Sequence, residues 1–227
     1  ACATGNTNIV RMILEAGADI EAELPNTDRP LHVALINEQR DMAKLLIVKG
    51  ANINVRASRS RTPLHLAAEY AVFEAALMLL DKGASTEDVD EETWTPLCCS
   101  GHPDMVELLI SRGANVDYAD KDNWTPLHQA VSNKDYHTAV QLVRAGASVD
   151  VRTTDDGLTV MERAKDLNDR RESDRFVELL EREIFWRETR KDSKAEKSKE
   201  PECDVVELGG DYVEVSAQGP SIEVGDA

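Results

Sequence analysis

Aromatic residues are scarce in this chain of 227 residues, 4% in all, so any core must be assembled from Leu, Ile, Val, Ala and Met. Small apolar side chains suit many thin helical layers better than one deep globular interior. Cysteine is equally sparse. Cys2, Cys98, Cys99 and Cys203 make no C-x-x-C pair, which argues against a zinc framework or a disulfide scaffold and fits a reducing compartment, cytoplasmic or nuclear. No apolar run approaches the ~20 residues of a bilayer span, so no membrane segment is expected. Positive charge is the minority sign. With 26 Lys and Arg against 43 Asp and Glu, the net charge is -17, a field that repels phosphate backbones and disfavours nucleic acid as a partner. No G-x-S-x-G, P-loop or dinucleotide fingerprint occurs, and the five histidines have no Asp or Cys at recurring ligand spacing. The expectation is no catalysis, no cofactor and no metal. Cys98-Cys99 is read as buried small hydrophobes rather than as a redox pair.

What is present is a repeat. Gly-Ala recurs at Gly17-Ala18, Gly50-Ala51, Gly83-Ala84, Gly113-Ala114 and Gly146-Ala147, at spacings of 33, 33, 30 and 33. A second motif is locked to it: Arg29-Pro30-Leu31-His32, Thr62-Pro63-Leu64-His65, Thr95-Pro96-Leu97-Cys98 and Thr125-Pro126-Leu127-His128. Thr can cap a helix start, and Pro is tolerated in the first turn, where its missing N–H has no partner to lose. Gly ends the second helix by taking the left-handed conformation. Four and three residues before each Gly stand apolar pairs, Leu46/Ile47, Leu79/Leu80, Leu109/Ile110 and Leu142/Val143 among them. Such spacing draws one apolar stripe along a helix.

Linked T-P-L-H and G-A motifs at this period resemble the ankyrin-repeat family, over roughly residues 1 to 185. The resemblance implies an all-α solenoid of stacked antiparallel helix pairs with projecting β-turn fingers. Its expected domain covers 1–186: a partial first repeat at 1–20, repeats near 21–53, 54–86, 87–116 and 117–149, and a divergent capping repeat at 150–186. Fingers are expected near 22–28, 55–61, 88–94, 118–124 and 151–158. Ala1-Cys2 falls where the family has Ala-Ala inside a first helix, so the chain is expected to be a fragment that begins within a repeat. Repeat four runs 18 residues from Thr95 to Gly113 where its neighbours run 21, so its first helix should lose nearly a turn. Residues 187–227 are mixed in charge and then acidic, which predicts a disordered tail. Within it, Val205-Val206-Glu207-Leu208 resembles motifs that add a strand to small ubiquitin-like modifiers.

For function, the resemblance implies a protein-interaction scaffold or adaptor that meets another protein through its fingers and concave helix face. Alternatives are the ankyrin part of a larger signalling, sensor or channel protein, or a substrate adaptor for a modifying enzyme. Immediately before the motif Thr, adjacent repeats carry Trp94 and Trp124, the residue type most enriched in binding hot spots. Glu91, Glu92 and Asp122 stand beside them. Arg56, Arg59 and Arg61 make the third finger basic, either to pair with the acidic fourth finger or to select a partner by charge. Tyr70, Ser132 and Asn133 are expected on the exposed part of the first helices.

Overall fold

The computed structural model describes residues 6–25, 27–167 and 170–197. Helices follow each motif as its chemistry requires. The Pro-Leu-His segments open α2 (Pro30–Ile36), α4 (Pro63–Glu69) and α8 (Pro126–Ser132), each with Pro in the first turn; Pro-Leu-Cys opens α6 (Pro96–Cys99). The apolar stripes form α1 (Thr7–Glu15), α3 (Arg40–Val48), α5 (Phe73–Asp81), α7 (Pro103–Ser111) and α9 (Tyr136–Ala145). A last pair is α10 (Val160–Lys165) and α11 (Arg170–Lys197). The even-numbered helices stack on one another in one layer, and α1 on α3, α3 on α5, α7 on α9 and α9 on α11 in a second. No strand occurs among the described residues beyond an isolated bridge between Arg152 and Thr159.

Between the layers, Leu46, Leu64, Leu79, Leu109, Leu127 and Leu142 are fully buried. Gly146 caps α9 at φ 106°, a left-handed conformation that a side chain would strain. Two of the motif histidines, His32 and His65, tie successive repeats together. His65 accepts at Nδ1 from the Thr62 amide (3.3 Å), and its Nε2 lies 2.9 Å from the Trp94 carbonyl of the next finger. His32 does the same with the Arg29 amide and the Val55 carbonyl. Burial pushes the pKa of His32, His65 and His128 down, so they sit in the fold as neutral imidazoles.

Three departures from regularity matter. First, α6 has four residues where α4 and α8 have seven, and α5 and α7 scarcely meet. A cleft of about 440 Å³ opens there, lined by Phe73, Asp104, Glu107, Leu108 and Ser111. Second, α1 leaves Ile9, Met12 and Ile13 exposed, because no described layer precedes it. Third, α11 does not stop at Trp186. The helix runs on through Lys197. The remaining tail, Val205–Leu208 included, lies outside the described residues.

The capping pair is fastened by charge as well as packing. Phe176 is buried against Tyr136 with ring centroids 4.4 Å apart. Arg144 donates to both oxygens of buried Glu183 (2.8 and 3.0 Å) and so holds that carboxyl below its ordinary pKa.

Candidate functional site

The fourth and fifth finger tips are five-residue turns, each shut by an aspartate. The Asp90 amide donates to the Trp94 carbonyl, and Asp120 to Trp124, both at 3.0 Å. The same aspartates turn their side chains back: Asp90 Oδ1 accepts from the Glu92 and Trp94 amides, and Asp120 Oδ1 from those of Asp122 and Trp124. The turn demands a left-handed residue just before Trp, filled by Thr93 at φ 65° and Asn123 at φ 61°.

This geometry points each indole at the following finger. Trp94 Nε1 donates to Asp120 Oδ2 (3.2 Å) and Trp124 Nε1 to Asp155 Oδ2 (3.3 Å). Both side chains remain half-buried. Between them lies a cleft of about 290 Å³, lined by Glu92, Trp94, Asp120, Lys121, Asp122, Trp124, Gln129 and Asp155. Four carboxylates thus face one ammonium. Among them, Asp155 is held below its ordinary pKa: the amide of Asp156, the Thr153 hydroxyl and the Trp124 indole outweigh the opposing effect of burial. The cleft is acid-lined beside the two indoles, and the Trp124 ring already carries the Arg163 guanidinium over it, 4.2 Å from its centroid.

Of the residues singled out from sequence, Trp94, Trp124, Glu92 and Asp122 come together here, and Glu91 stands exposed at the same finger tip, outside the lining. Arg56, Arg59 and Arg61 turn into the fourth finger. Arg56 donates to the Val89 carbonyl (2.7 Å) and to Asp88, Arg59 pairs with Glu92, and Arg61 pairs with Asp90 and Glu69. Tyr70, Ser132 and Asn133 are not part of the cleft. They close the far ends of α4 and α8, about 10 Å along the helix from the finger side. Asp120, Gln129 and Asp155 were not singled out. The Asp-x-x-x-Trp spacing shared by Asp90/Trp94 and Asp120/Trp124 was the available signal for the first of them.

The two described thiols, Cys98 and Cys99, offer no competing site. Cys98 is buried beneath Thr95, and burial pushes its pKa up; the same cause lifts Cys99 to about 12, leaving both thiols unionised and poor nucleophiles. No group of three or more His, Cys, Asp or Glu that could hold a metal ion occurs among the described residues, and no described helix is long and apolar enough to cross a membrane.

A family model described as ankyrin repeats (3 copies) matches residues 1–90 and 86–155. Among solved structures, an ankyrin repeat domain from Acinetobacter baumannii AYE is similar at 25% identity and a TM-score of 0.69, covering 81% of this chain and 95% of that one. No curated protein matches the sequence.

Proposed function

The chain belongs to the ankyrin-repeat family, whose repeats are in general protein-interaction modules, and from that premise we propose that it binds another protein along its finger tips, with the Trp94–Trp124 cleft as the energetic centre. The observation that carries this reading is the pair of half-buried indoles framing one acid-lined cleft. Aromatic anchors in a partly desolvated recess supply most of the binding energy of typical interfaces, while charges around them act mainly on association rate. Glu91, Glu92 and Asp122 form the rim. Arg56, Arg59 and Arg61 brace it from the third finger, and Tyr70, Ser132 and Asn133 extend the contact surface along the first-helix layer. Free, unionised thiols at Cys98 and Cys99 fit a reducing compartment, cytoplasmic or nuclear.

The test is proximity labelling with the intact chain as bait, followed by direct binding to the recovered protein. Trp94→Ala with Trp124→Ala should lose that protein while far-UV circular dichroism stays unchanged. A folded double variant that retains it at full strength would place the interface elsewhere.

A further inference from the structure

Two adjacent repeats build the same three-part arrangement, and one of them lacks its cation. In the sixth unit, the Arg163 guanidinium lies over the Trp124 ring, 4.2 Å from its centroid. It is held there by Asp156 (2.5 Å). Arg163 stands four residues after Thr159 and Asp156 three residues before it. Counting in the same way from Thr125 gives Gln129 and Asp122, and the indole one finger earlier is Trp94. These three residues line the cleft together. Where the sixth unit has a guanidinium between an indole and a carboxylate, the fifth has the neutral amide of Gln129. The Asp122 carboxylate has no hydrogen-bond or ion-pair partner among the described residues. Glu92, Asp120 and Asp155 add negative charge around the same space.

Resting on the protein-binding reading above, we infer that this cleft receives an arginine side chain from a basic segment of the partner, laid against Trp94 and Asp122 as Arg163 is laid against Trp124 and Asp156. The physical case is charge complementarity in a recess. An indole face attracts a cation most when water is partly excluded, and a planar guanidinium can stack on the ring and present its N–H groups to a carboxylate at once. A net charge of -17 draws a basic segment towards the molecule from a distance. The cleft then selects the side chain.

The probe is a tetra-arginine peptide titrated into the full-length, ¹⁵N-labelled chain, with the Trp94 indole N–H signal assigned by Trp94→Phe. The Trp94 signal should shift saturably, and Asp122→Asn should weaken binding about tenfold, the scale of one partly desolvated cation–aromatic and carboxylate site. Gln129→Arg supplies the missing guanidinium from within, so it should abolish the shift while leaving the melting temperature unchanged or raised. If Gln129→Arg fails to fold, Asp122→Asn alone decides. Glu178→Gln, which removes one exposed negative charge on α11, should have no effect; an equal loss there would mean general attraction and overturn the inference. A Trp94 signal that never moves overturns it too. If that happens while the double tryptophan variant still loses its protein partner, the binding function stands and only the arginine chemistry falls. If the peptide fills the cleft but the double variant keeps its partner, the arginine site stands and the proposed interface falls.

Discussion

Residue 98 is a cysteine where repeats two, three and five carry a histidine. The consequence is visible one finger away. His65 links its own Thr62 to the Trp94 carbonyl, whereas Cys98 offers only a long contact from the Thr95 hydroxyl to Sγ (3.4 Å) and nothing to the Trp124 carbonyl. Cys98→His should therefore add an inter-repeat hydrogen bond and stabilise the chain by about 1 kcal/mol in urea denaturation; a destabilised variant would mean that the shortened repeat has no room for the ring. The three native imidazoles carry a pH signature. Burial holds them below the ordinary 6.5, so between those folded values and 6.5 the unfolded chain binds more protons. Stability should be fully present above about 6.5 and fall as pH drops through the folded values, and melting temperatures from pH 8 to 5 would show it. The recurring His was legible in the sequence. Its partner was not, because Val55 and Trp94 lie 23 and 29 residues away. His128 shows the limit of the repeat rule. Its finger is a residue longer, the Leu158 carbonyl accepts from the Thr153 amide (3.2 Å), and the His128 ring is left facing the Leu158 and Val151 carbonyls without a well-formed hydrogen bond from Nε2.

Helix α6 extends the same argument to a whole element. Its shortening was readable from the interval between Thr95 and Gly113, because helix length follows residue count. The cleft between α5 and α7 was not, since it depends on how two neighbouring layers settle over a short one. With few contacts across that junction beyond the Arg112–Asp81 pair (2.8 Å), amides of α6 should exchange with deuterium faster than those of α4 and α8. Equal protection across the three would remove the weak point. At the other end, the anchor of α11 at Glu183 reads in the sequence as one more solvated charge. The structure makes it the clasp of the cap. Glu183→Ala should cost about 1 kcal/mol, a modest figure because Arg144 stays half in solvent, and should leave the Trp94 cleft unaltered in peptide titration.

A stack whose layers touch only their neighbours is as cooperative as its weakest junction. Here the second layer is interrupted between α5 and α7, so α1–α5 and α6–α11 are joined through the packing of α4 on α6 and the finger ties of Arg56, Arg59, Arg61 and His65. The two parts are unequally finished. The first ends in an α1 that exposes Ile9, Met12 and Ile13, whereas the second is closed by α11 through Phe176, Leu180 and the Glu183 clasp. The first part should therefore unfold at lower urea. The chain supplies its own reporters for this. Trp94, Trp124 and Trp186 all lie at or beyond the junction, so indole fluorescence follows the second part, while far-UV circular dichroism follows helices on both sides. Loss of helicity should begin before fluorescence changes, and Cys98→His, whose added bond to the Trp124 carbonyl lies wholly within the second part, should move the two curves further apart. Coincident transitions in the native chain would show that coupling across the short repeat is as strong as elsewhere, and that the cleft between α5 and α7 is a surface feature rather than a boundary of cooperativity.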